Sequence, residues 1–135
     1  MVKKASLKLG TIGERTFVVS ESHVIDFTDG GMPPVLSTPT LIWFLEHAAR
    51  EAVLSALEPG ESTVGVHVEV DHLAATPLGH RVTCRAYLIQ YDEKAAWFRL
   101  EAYDEQELIA HGMHQLRIVR VDRFTKRVQE KKKGK

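Results

Sequence analysis

The sequence predicts an α+β fold, with one curled antiparallel sheet of five strands wrapped around one long central helix. Three observations predict it. Apolar residues recur at helical spacing between positions 41 and 57. The period then drops to two across Val64, Val66, Val68 and Val70. Three more alternating segments follow, separated only by short turn signals, as consecutive antiparallel strands are.

Residues 14–20 read as the first strand, rich in aromatic and β-branched side chains. Residues 21–37 carry Asp29, Gly30, Gly31, Pro33 and Pro34, so they read as an irregular stretch, of the kind that is often functional in a small domain. Thr38-Pro39 then predicts a helix start, with Thr38 as the N-cap and proline at the first helical position. Leu41, Leu45, Ala48, Ala49, Ala52 and Ala56 form one apolar stripe, and its alanines allow a sheet to approach closely. Pro59-Gly60 ends the helix. The second strand runs through Val64 to Val70, with the even positions and His72 directed at the helix. After a break at Thr76-Pro77-Leu78-Gly79, strands are predicted at 80–91, 95–103 and 107–121, the last two joined by a turn near Asp104-Glu105. Only one helix is long enough to cover a sheet of this size, which is the hotdog arrangement.

The bulk properties agree with one small domain spanning residues 1–135. Eighteen Lys and Arg balance eighteen Asp and Glu, so no global field draws the chain to nucleic acid or to an anionic membrane. The single cysteine, Cys84, permits no internal disulfide and favours a reducing compartment. The first six residues are not followed by the apolar stretch of a signal peptide, and no run is long enough to span a bilayer. A cytoplasmic location is therefore expected. The basic tail from about residue 126 reads as a solvated end.

Three residues are candidates for chemistry. Glu46 lies beside Ile42, Ala49 and Val53 on the flank of the apolar stripe; it either snorkels to solvent or serves as a base or nucleophile near buried surface. His72 ends its strand on the helix side, where it either bonds the backbone or reaches a helix carboxylate and shares its proton. Thr38 either caps the helix or offers its hydroxyl to a substrate oxygen at the positive end of the helix. His111 and His114, three apart on one strand, face opposite sides and make a poor metal pair. Cys84 shares the parity of Val82 and Ala86 and reads as core. No phosphate loop, nucleophile elbow or zinc spacing is present.

Taken together these residues resemble the fluoroacetyl-CoA thioesterase family. The resemblance lies in residues 35–48, with Thr38-Pro39 and Glu46, and in His72-Leu73-Ala74-Ala75-Thr76-Pro77-Leu78-Gly79. Leu57-Glu58-Pro59-Gly60-Glu61, Gly65, Gly112-x-His114 and Phe124 fall into the same pattern. The resemblance implies a hotdog homodimer with its active site at the subunit interface, and an acyl-CoA substrate. It implies a catalytic set of Thr38, Glu46 and His72, and a backbone amide near Gly65 that holds the thioester carbonyl. Two positions depart from the fluoroacetyl-specific pattern. Met32 stands where a gate phenylalanine would be, which makes it a substrate-binding candidate, and Leu116 replaces an arginine, with Arg117 one place later. Hydrolysis of small acyl-CoA thioesters is thus implied, rather than any one acyl group, and the chemistry needs neither metal nor bound cofactor. The rival readings are a non-catalytic acyl-CoA-binding module, and a hotdog hydratase, which needs a differently placed Asp–His pair.

Overall fold

The computed structural model describes residues 7–134. The N-terminal hexapeptide and Lys135 of the basic tail lie outside the described residues. The elements are β1 (Ile12–Val18), α1 (Thr38–Val53), β2 (Glu61–His72), β3 (Arg81–Tyr91), β4 (Ala95–Tyr103), β5 (Leu108–Arg120) and α2 (Val121–Lys132). The strands form one antiparallel sheet in the order β1-β3-β4-β5-β2, curled around α1 in the hotdog manner. The predicted helix and all five strands are present; β1 begins two residues earlier than its composition indicates.

Tight packing follows from the sequence of the helix stripe. Leu41, Leu45, Ala48, Ala49 and Val53 are all fully buried. The small alanines let β1 come so close that a Cβ on Gly13 would lie 1.8 Å from the Ala48 carbonyl oxygen. Facing them, Val82, Cys84, Ala86 and Leu88 alternate inward along β3, as predicted. Burial pushes the Cys84 thiol up to about 12, consistent with a packing role rather than a nucleophile.

Two features of the sheet differ from the sequence reading. First, α1 packs chiefly against β1 and β3, on one half of the sheet. The β2 edge is therefore poorly covered, and Val66 and Val68 remain 46% and 42% exposed. Second, the pairing of β2 with β5 shifts register between Gly65 and His67, a β-bulge at Val66. The bulge inverts the alternation. Beyond it Val68, Val70 and His72 pair with His114, Gly112 and Ala110, while Gly65 pairs with buried Leu116 on that same inner face. Val64 pairs instead with exposed Arg117, so it does not face the helix.

The basic tail is helical rather than simply solvated. Every residue of α2 is exposed. Asp122 in its first turn and Lys131 and Lys132 in its last complement the helix dipole, and Asp122 precedes Lys126 by four positions. No described helix is long and apolar enough to cross a membrane.

Candidate active site

The helix start decides what Thr38 can do. The sequence assigns it the N-cap, but Ser37 takes that position, and its hydroxyl accepts the Thr40 N–H at 3.3 Å. Both residue types cap well. The approach of the chain selects Ser37, whose own N–H donates to the His23 carbonyl at 2.9 Å. Thr38 moves to the first helical position and its hydroxyl is released from capping. It lies 2.7 Å from Nδ1 of His72.

His72 is brought there by the end of β2 and held by the loop that follows. Leu73 N–H donates to the Ile109 carbonyl at 2.7 Å, and Leu36 N–H to the Thr76 carbonyl at 2.9 Å. Thr76 is fully buried, and its hydroxyl donates to Asp104 Oδ2 at 3.0 Å. Asp104 Oδ1 meanwhile accepts the backbone N–H groups of Gln106 and Glu107. Burial alone would raise the Asp104 pKa; these donors outweigh it and hold the carboxyl below its ordinary value. Thr76 thus ties, through its carbonyl and its hydroxyl, the segment entering Thr38 and the segment leaving His72 to the β4–β5 turn.

Burial lowers the pKa of His72, which favours a neutral ring. Its Nε2 is buried and has no partner among the described residues. Met32 lines the same cleft, of about 250 Å³, with Ile25, Phe27, Val35 and Leu73 as apolar neighbours of Thr38 and His72.

Glu46 lies elsewhere, and the predicted sharing of a proton between Glu46 and His72 does not occur within one chain. Thr38 and Glu46 are eight residues apart on α1, so about 12 Å separates them along the helix axis. Glu46 lines a second cavity of about 270 Å³, with Ile42, Gly65, Val66, Val68 and His114. A Cβ on Gly65 would lie 2.9 Å from Glu46 Oε2 and 3.3 Å from His114 Cε1. The missing side chain of Gly65 therefore leaves the carboxylate and the imidazole open to a shared space.

The sequence reading gives His114 no chemical role beyond its place in the Gly112-x-His114 pattern. Treated as half of a poor metal pair, it does lie on the opposite face from exposed His111. Yet it is only 3% exposed, packs against Phe98 and opens on the Glu46 cavity. Its two-residue offset from Leu116, on the inward parity of β5, was the available signal. A larger groove of about 930 Å³ on the outer side of β4 and β5, bordered by α2, mixes Arg117, Arg120 and Arg123 with Glu58, Asp92 and Glu93. Among the described residues it contains no buried unpartnered polar atom.

Comparisons with known proteins show the family and the fold. A family model described as fluoroacetyl-CoA-specific thioesterase matches residues 19–122. A fluoroacetyl-CoA thioesterase from Streptantibioticus cattleyicolor is 32% identical over 99 residues, 73% of this chain and 71% of that one. A solved fluoroacetyl-CoA thioesterase is similar with a TM-score of 0.85 and 28% identity, covering 92% of this chain and 96% of its own. A thioesterase superfamily member from Thermus thermophilus is also 28% identical, with a TM-score of 0.84 over 96% of this chain and 98% of its own.

Proposed function

This chain belongs to the fluoroacetyl-CoA-specific thioesterase family, and from that premise we propose that it hydrolyses small acyl-CoA thioesters at Thr38, Glu46 and His72, assembled between two subunits. As a member of that family it is a hotdog acyl-CoA thioesterase.

One observation supports the two-subunit assembly above all. Thr38 and His72 bond each other, whereas Glu46 and Gly65 form a separate cluster, and both clusters border the free edge strand β2. Gly65 and His72 are seven residues apart on that strand, about 23 Å if fully extended. An exposed edge strand of twelve residues is a ready template for pairing. In an antiparallel pair of β2 strands, a two-fold axis between Val68 and Glu69 sets Gly65 opposite the partner subunit's His72. Glu46 of one subunit then meets Thr38 and His72 of the other. The half-exposed Val66 and Val68 become interface residues, and the uncovered half of each sheet receives the second helix.

The chemistry follows. The thioester carbonyl lies at the positive end of α1, held by the Thr38 hydroxyl and a backbone N–H near Gly65. Glu46 supplies the charge that drives attack, and His72, neutral near pH 7, orients or protonates the participants. The C–S bond breaks and CoA leaves as a thiolate, which is then protonated. Met32 is flexible and not aromatic, so the cleft accepts several small acyl groups without strong preference for a fluorinated one. Acyl-CoA turnover over a panel, read by thiol release, tests that breadth. Binding with a raised Tm but no release favours the non-catalytic module.

Mixing two inactive variants tests the shared site. Glu46→Gln and His72→Ala homodimers each lack a group at every site. Half of the dimers formed on random exchange are mixed, and each mixed dimer keeps one intact site, so activity returns to about 25% of wild type. No recovery in verified heterodimers would overturn the two-subunit site.

A further inference from the structure

His114 is inward-facing, nearly buried and unused by the reaction as described so far. Its Nδ1 lies 2.9 Å from the His67 carbonyl oxygen. A carbonyl can only accept, so Nδ1 carries the hydrogen. Burial is the largest influence on the ring and lowers its pKa; the bond to His67 and the Glu46 charge oppose it without cancelling it. The neutral ring therefore has a bare lone pair on Nε2. That atom is buried and without a partner among the described residues. The ring and the Glu46 carboxylate flank the same point above Gly65, and both line the same cavity. The Glu46 carboxylate and the His114 ring border one small cavity, and a molecule that donates two hydrogens would satisfy both the carboxylate and the bare Nε2; water is the smallest such molecule.

We infer that His114 is a further catalytic residue, whose Nε2 and the Glu46 carboxylate together hold the water that attacks the thioester. The inference rests on the proposed site and deepens it, since it makes Glu46 a base rather than a nucleophile. The water oxygen forms the new bond to the carbonyl carbon as one of its protons passes to Glu46. The second hydrogen stays on the water oxygen and donates a hydrogen bond to His114 Nε2, which fixes the lone pair of the water along the line of attack. The tetrahedral adduct then collapses. The C–S bond breaks, its electron pair leaves with sulfur, and the proton on Glu46 passes to the thiolate or to solvent. The sum is thioester plus water giving acid plus thiol.

Two measurements test it on the full-length protein. The first is 15N NMR of the His114 ring at pH 7 without substrate. A neutral ring with hydrogen on Nδ1 and bare Nε2 is expected; a protonated Nε2 overturns the inference whether or not any variant folds. The second is steady-state hydrolysis of acetyl-CoA by His114→Phe, which keeps a ring in the pocket and removes both nitrogens. kcat is expected to fall about 100-fold or more, with KM within about threefold, since the lost contact is to water and not to CoA. His114→Gln, which restores an acceptor, is expected to recover part of kcat, whereas a purely packing role predicts better recovery with phenylalanine. Unchanged kcat in folded His114→Phe overturns the inference while leaving the site reading intact; unchanged kcat in Glu46→Gln overturns the site reading itself.

Discussion

Gly65→Ala separates the activity of the site from the stability of the fold. The φ angle of Gly65 lies outside the left-handed region, so alanine is conformationally acceptable there. Restricting the unfolded chain favours alanine by about 0.4–1 kcal/mol. The new methyl, however, lies 2.9 Å from Glu46 Oε2 and 3.4 Å from Glu46 Cδ. Comfortable contact requires a shift of about half an ångström in the carboxylate, which is the end of a flexible side chain and can yield. Misplacement by about 1 Å costs roughly 100-fold in a reaction that depends on near-attack geometry, so half that shift costs roughly 10-fold. The expected result is a kcat about 10-fold below wild type with unfolding free energy within about 1 kcal/mol. Thiol release from acetyl-CoA gives the first quantity and urea unfolding the second. A folded variant with undiminished kcat refutes the placement of Glu46 at the reacting centre. A loss of activity that only tracks a loss of folded protein refutes the reasoning from the contact distances.

Other perturbations probe the frame around the site. Gly13→Ala brings a methyl onto the Ala48 backbone at 1.8 Å, where nothing flexible can yield, so α1 must lift and stability falls by about 3 kcal/mol or more in urea unfolding. Thr76→Val keeps the shape but deletes the donor to Asp104, and is expected to cost about 1–2 kcal/mol and to lower kcat as the Thr38–His72 pair loosens; Thr76→Ser should restore both. His72 and His114 fold with pKa values below their ordinary 6.5. As pH falls through that value the unfolded chain binds protons before the folded one does. Stability is therefore full above about pH 6.5 and declines as pH drops towards the folded values, a trend that urea midpoints at several pH values would reveal.

The helix, the five strands and the identity of Thr38, Glu46 and His72 as candidates were legible because they rest on local periodicity and on short motifs. Leu41, Leu45 and the alanines of α1 face one way in any straight helix, and Val82 to Leu88 face one way in any regular strand, whatever surrounds them. Irregularity was not legible in this way. Nothing in the run from Val64 to Val70 marks Val66 as a bulge, since a bulge is a mismatch with β5, whose partner residues lie about fifty positions later. That one mismatch carries Gly65 to the inner face beneath Glu46. Ser37 and Thr38 are both good caps, and only the His23 carbonyl, reached through the loop packing, gives the cap to Ser37 and frees Thr38 for His72. Likewise, Glu46 and His72 point towards the same side of the sheet, but their separation depends on where along α1 and β2 each one lies in space. His114 acquires its meaning only when the His67 carbonyl fixes its tautomer and its ring borders the cavity that Glu46 also lines. Period and composition determine which face a residue takes; which residues then share a cavity depends on contacts between segments distant in sequence.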